Sequence, residues 1–94
     1  MSLDSAKEIL QNEINDSPHV KNGLLGHAGT FRKIKEYVIE SAIAGETEEE
    51  CKGWFRSFLK ENGIEDEFEH GKLSEIVGYM QSIVKQYISN EKEK

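Results

Sequence analysis

The chain has one cysteine, one proline, one tryptophan and no long apolar run. Each scarcity removes a class of protein. A single thiol, Cys51, has no internal partner, so a disulfide scaffold is excluded. No stretch approaches the roughly 20 apolar residues of a membrane helix. The first twenty residues interleave Asp4, Lys7, Glu8 and Glu13 with apolar positions, unlike a secretory signal. The expectation is a cytoplasmic protein with no membrane association. Cations are scarce too: 12 Lys and Arg stand against 18 Asp and Glu, for a net charge of −6. A duplex-binding surface needs clustered Lys and Arg to displace counterions. The one tight cluster is Arg32-Lys33-x-Lys35, so nucleic acid is a poor partner for this chain. The acidity is uneven, −1 over residues 1–45 and −5 over residues 46–94. An acidic half of this kind either meets a basic partner surface or is a solvated face that keeps a small protein soluble.

What remains is enough to fold. Leu, Ile, Val and Phe make up 23 of 94 residues, above the fifth or so below which chains stay disordered. The length suits one domain over 1–94, with frayed ends near 1–3 and 90–94. Apolar residues recur at helical pitch along most of it. Leu3, Ala6, Leu10 and Ile14 mark a first helix, with Ser5 and Glu8 at capping-box spacing and Ser17-Pro18 as its stop. Residues 19–29, HVKNGLLGHAG, place glycines at 23, 26 and 29 and suggest a short helix bent or frayed by them. Thr30 is a candidate N-cap for a helix over about 31–44, whose wide apolar stripe includes Phe31, Ile34, Val38, Ile39, Ala42 and Ile43.

Gly45 suits the closing left-handed position of that helix. Thr47 and Glu50 form a second capping-box pair, and Glu48, Glu49 and Glu50 sit where a helix dipole favours acid. Cys51, Trp54, Phe55, Phe58 and Leu59 give that helix its apolar face, and Asn62-Gly63-Ile64 predicts a Schellman ending. Residues 65–71, EDEFEHG, read as a linker. A last helix is expected over about 73–89, with Leu73, Ile76, Val77, Met80, Ile83, Val84 and Tyr87 along one side. The fold class is therefore all-α, a small antiparallel bundle of four to five helices.

Sites are harder to find. Gly26, His27, Gly29, Thr30, Arg32 and Lys33 place glycines and cations at a helix start, the elements of an anion site. The spacing is not that of a phosphate loop, and no strand precedes it. The alternative is a turn that lets two helices pack. No metal is expected: His19 and His27 are eight residues apart, and Asp66 with His70 supplies only two ligands. Cys51 shares a face with aromatics and follows three glutamates, which favours a buried inert thiol over a nucleophile. Trp54 and Phe55 are adjacent, about 100° apart around a helix. That widens the apolar face and nominates Trp54, Phe55, Phe68, Met80 and Tyr87 for contact with a partner.

Three functions are compatible with these features, in order of support. The first is a small acidic interaction module, without catalysis or cofactor, that binds another protein chain or a second copy of itself. The second is an anion- or nucleotide-binding protein that uses residues 26–35. The third is a helical DNA-binding regulator, opposed by the net charge.

Overall fold

A computed structural model of the protein describes the backbone of residues 1–64 and 67–92, and the side chains of these except at 22, 25, 67–70, 91 and 92. The described residues hold four α-helices and no strand: α1 Leu3–Asp16, α2 Ala28–Ile43, α3 Glu48–Glu61 and α4 Glu67–Lys92. Two 3-10 turns, Pro18–Asn22 and Leu24–Gly26, join α1 to α2. The expected all-α bundle is the observed fold.

The helix ends follow local chemistry. Thr47 Oγ1 accepts from the Glu50 amide at 3.1 Å, and Glu50 returns the bond by accepting from the Thr47 amide at 3.0 Å. This is the reciprocal capping box expected from the sequence. At the far end of α3 the Ile64 amide donates to the Leu59 carbonyl at 3.0 Å and the Gly63 amide to that of Lys60 at 3.1 Å. Gly63 sits at φ 79°, in the left-handed region. Gly45, at φ 82°, closes α2 in the same way, with the Glu46 amide donating to the Ser41 carbonyl. Both endings are Schellman motifs.

Four expected boundaries and one segment are corrected. α1 is capped by Ser2, whose hydroxyl accepts from the Ser5 amide at 3.1 Å, so Ser5 lies inside the helix. α2 starts at Ala28, and Thr30 is a buried residue of its first turn rather than its cap. α4 begins at Glu67, so residues 67–71 of the expected linker are helical; Glu65 and Asp66 lie outside the described residues. α4 also continues to Lys92, past the expected end near Ser89. The proline-led segment forms two tight 3-10 turns instead of one bent helix.

The packed pairs are α1 with α2, α2 with α4 and α3 with α4. α1 and α2 are antiparallel, because Glu13 of α1 meets Thr30 and Lys33 of α2. α3 and α4 are antiparallel too: Lys52 reaches Glu75 at 3.0 Å and Arg56 reaches Ser74 at 3.0 Å. Gly78 lets these two helices close up, since a Cβ there would fall 2.7 Å from Lys52 Cδ.

Aromatic side chains fill the space between α2 and α3. Tyr37 of α2 is wholly buried against Trp54 and Phe55, with ring centres 4.7 and 6.4 Å away, and its hydroxyl donates to the Cys51 carbonyl at 2.8 Å. Across the same side, the Lys7 ammonium of α1 lies 5.3 Å from the Trp54 ring, and Gln11 bonds Asn62. α1 and α3 therefore cover one side of the α2–α4 pair.

Phe55 and Gly63 carry the clearest stability predictions. Phe55→Ala should cost about 3–5 kcal/mol by urea denaturation followed by circular dichroism. Gly63→Ala should cost about 1–2 kcal/mol, the strain of a side chain in left-handed backbone. Parent-like midpoints would contradict the core position of Phe55 and the ending of α3.

Candidate functional site

Two regions qualify from the sequence and the fold: the start of α2, and the side of the α2–α4 pair that α1 and α3 leave bare.

At the start of α2, the groups suited to an anion already hold one. The Thr30 hydroxyl donates to Glu13 Oε1 at 3.2 Å, and the Lys33 ammonium bonds Glu13 Oε2. The Lys33 hydrogen bond holds the Glu13 carboxyl below the usual carboxylate range, against burial that pushes it up. Thr30 thus joins α2 to α1 from inside the interface. Of the remaining candidates, Gly26 and Gly29 are exposed, His27 is half-buried with its ring edge-on to that of His19 at 5.4 Å, and Arg32 is exposed. Lys35 turns the other way, with its ammonium 5.5 Å from the Phe31 ring. Four of the six candidates ring this corner without joining the Glu13 cluster.

Elsewhere among the described residues, the one thiol is the next candidate group. Cys51 is fully buried, and burial pushes its thiol up, away from the thiolate. Among the described residues no three His, Cys, Asp or Glu side chains come close enough to hold a metal ion. None of the helices described is long and apolar enough to cross a membrane.

The bare side of the α2–α4 pair is different. An apolar groove runs along it, from Lys35, Val38 and Met80 at one end to Ile43, Tyr87 and Ile88 at the other. Ile39, Ile83 and Val84 line both halves, so the groove is continuous. α2 and α4 run in the same sense along it. Large apolar side chains stay open to solvent here and on the adjoining face of α4: Ile39 40 %, Ile43 62 %, Tyr79 68 %, Ile83 48 % and Tyr87 66 %. Scattered exposed apolar residues are ordinary, whereas a contiguous strip is uncommon on a monomeric protein and makes this side a candidate site.

The five residues nominated for partner contact divide. Met80 and Tyr87 line the groove. Phe55 does not: it is fully buried between Tyr37 and Phe58, so its nomination is corrected to core. Trp54 is half-buried, with its ring against Tyr37 and Phe58 on the covered side of the bundle. The Phe68 side chain lies outside the described residues. Ile39, Ile43, Tyr79 and Ile83, which the structure leaves exposed, are not among the residues the sequence nominates. Its own signal, adjacent apolar residues, was present at Val38-Ile39, Ala42-Ile43 and Ile83-Val84. In the two α2 pairs the first member is buried and the second exposed.

The chain matches no family model, no curated protein and no solved structure.

The Glu13 cluster sets a pH dependence. Its carboxyl is held low in the folded chain, so the stabilisation is present above the ordinary carboxylate range and lost as pH falls through the lowered value. Glu13→Gln should melt below the parent at neutral pH, and the gap should shrink as pH falls through and below the ordinary carboxylate range. A gap independent of pH would mean that the Glu13 charge does not act through this contact.

Proposed function

We propose that this protein is a non-catalytic interaction module that acts in the cytoplasm and docks another protein chain along the α2–α4 groove. The observation that carries the reading is the continuous strip of exposed apolar side chains on one side of the bundle. Leaving such residues in water forfeits about 25 cal/mol per Å2 of apolar surface, a cost that burial against a partner recovers. The strip is also poor in charge. From Ile76 to Asn90, α4 has one charged residue, Lys85, in a chain that is 32 % charged. Charge depletion at the centre of a patch, with tyrosine and methionine present, is the composition of protein interfaces. The single unpaired thiol suits a reducing compartment.

The test is site-specific photocrosslinking in living cells. A photoreactive phenylalanine analogue at Tyr87 should give one or a few discrete adducts, whereas the same analogue at exposed Arg32 should give none of them. Adducts that are the same from both positions, or absent from both, would overturn the reading.

A further inference from the structure

The interaction-module reading leaves the partner open, and the identity of that partner is an inference that rests on it. We propose that the partner is a second copy of this chain, joined by a two-fold axis near Ile83 with the two α4 helices antiparallel.

The first argument is the pattern along α4. Val77, Gln81, Val84 and Ile88 step by four, three and four residues; Val77 and Gln81 are buried in the chain's own bundle, and Val84 and Ile88 are half-buried. Ile76, Met80, Ile83 and Tyr87 step by four, three and four along a neighbouring line that is half-buried or exposed. A 3-4 alternation is the spacing that packs one helix on another through knobs and holes. α4 thus carries two seams. Its own chain covers the first fully at Val77 and Gln81, and the second is half-buried at Ile76 and Met80 and open to solvent at Ile83 and Tyr87.

The second argument is self-complementarity. In an antiparallel pair centred on Ile83, a residue four positions before the centre faces one four positions after it. Those positions are Tyr79 and Tyr87, the two most exposed of the chain's tyrosines. Each Tyr79 would meet the other copy's Tyr87, and the rings suit edge or offset packing. Lys85, two residues from Ile83 and so on the far side of the helix, acts on Glu50 and Cys51 of α3 and brings no like charge to the contact. Antiparallel helix dipoles also oppose one another favourably.

Charge and area point the same way. Of the residues that line the groove, Lys35 at one end is the one charge, although the chain carries −6. So weakly charged a strip offers little long-range attraction to a strongly charged partner, and two copies can bring it together with little repulsion across the contact. The five open side chains of the strip expose on the order of 600 Å2, close to the roughly 800 Å2 that each partner gives to a standard interface. The half-buried Met80, Val84 and Ile88 extend it.

The experiment is sedimentation equilibrium of the full chain, beside two variants and a crosslink. The parent should sediment at twice 10.7 kDa. Ile83→Glu should weaken self-association by about 100-fold or more, because it places unpaired carboxylates at the axis. Tyr87→Glu, at a more exposed position, repeats the test should Ile83→Glu fail to fold; circular dichroism decides that. Under mild oxidation Ile83→Cys should form a disulfide-linked dimer, since Cys51 is buried. A parent that stays monomeric to about 500 µM, far above the affinities of specific complexes, overturns the proposal. So does a dimer that survives both Glu variants, because its interface lies elsewhere. A monomeric parent whose Tyr87 position still crosslinks to a different protein sinks the dimer alone. No crosslink of any kind sinks the interaction module with it.

Discussion

The arrangement of the α2–α4 pair depends on one buried amide. Gln81 is fully enclosed, and the two N–H groups of its Nε2 are shared among three acceptors, Ser41 Oγ at 3.0 Å, the Glu46 carbonyl at 3.1 Å and the Thr47 carbonyl at 3.3 Å. Ser41 in turn donates to the Glu46 carboxylate at 2.8 Å. α4 is thereby tied to the turn that ends α2 and starts α3. The bond set fixes more than position. A helix held only by apolar contacts can rotate or slide by a turn at modest cost, whereas a buried polar group permits one register. Gln81 Oε1 has no hydrogen-bond partner among the described residues, so the amide carries a cost as well as a benefit. What the cost secures is orientation. With Gln81 turned inward, Tyr79, Ile83 and Tyr87 must face out.

The ion pairs show how an acidic chain keeps its fold. Three of its 18 carboxylates are placed where positive potential exists: Glu50 on the capping box, Glu13 on Thr30 and Lys33, and Glu75 on Lys52. All three carboxyls are held below the usual range, Glu50 by the Thr47 backbone amide and the other two by a lysine. Lys52 lies pressed against Gly78 with its ammonium between Glu75 and Glu49, and the Glu75 hydrogen bond pushes it up. The chain therefore favours a neutral working range. Acid removes the carboxylate contacts, and only strong base removes the lysine ones.

Much of this was legible in the sequence where a signal is local and reciprocal. The capping box at Thr47 and Glu50 and the ending at Asn62-Gly63-Ile64 need only residues within six positions, and both formed as read. The errors arose where several residues competed for one role. Ser2 and Ser5 both suit an N-cap, and only the packing of Leu3 against the core decides for Ser2. Thr30 resembles a cap until Glu13, seventeen positions away, claims its hydroxyl. The segment EDEFEHG looked like a linker because it has one apolar residue, yet Glu67 and Glu69 fall in the first turn of α4, where the dipole favours acid. Helix existence follows from periodicity. Helix limits follow from partners that sequence distance hides.

The contact strip was hidden for a further reason. Adjacent apolar pairs say that a helix has two apolar faces, but they do not say which pair is used inside and which outside. At Trp54-Phe55 both rings serve the bundle, Phe55 in the core and Trp54 as a lid over Tyr37 and Phe58 beneath the Lys7 stem. At Val38-Ile39 and Ala42-Ile43 the first member is buried and the second is left in water. The difference lies in the placement of neighbours. α1 and α3 both approach from the Tyr37 side of α2, so Trp54 has α1 above it, while among the described residues nothing beyond α4 covers Ile39 and Ile43. A fifth helix on the bare side would have closed the bundle as an ordinary layered core. Its place is taken by an apolar strip, and the inward-facing amide of Gln81 keeps that strip turned away from the core.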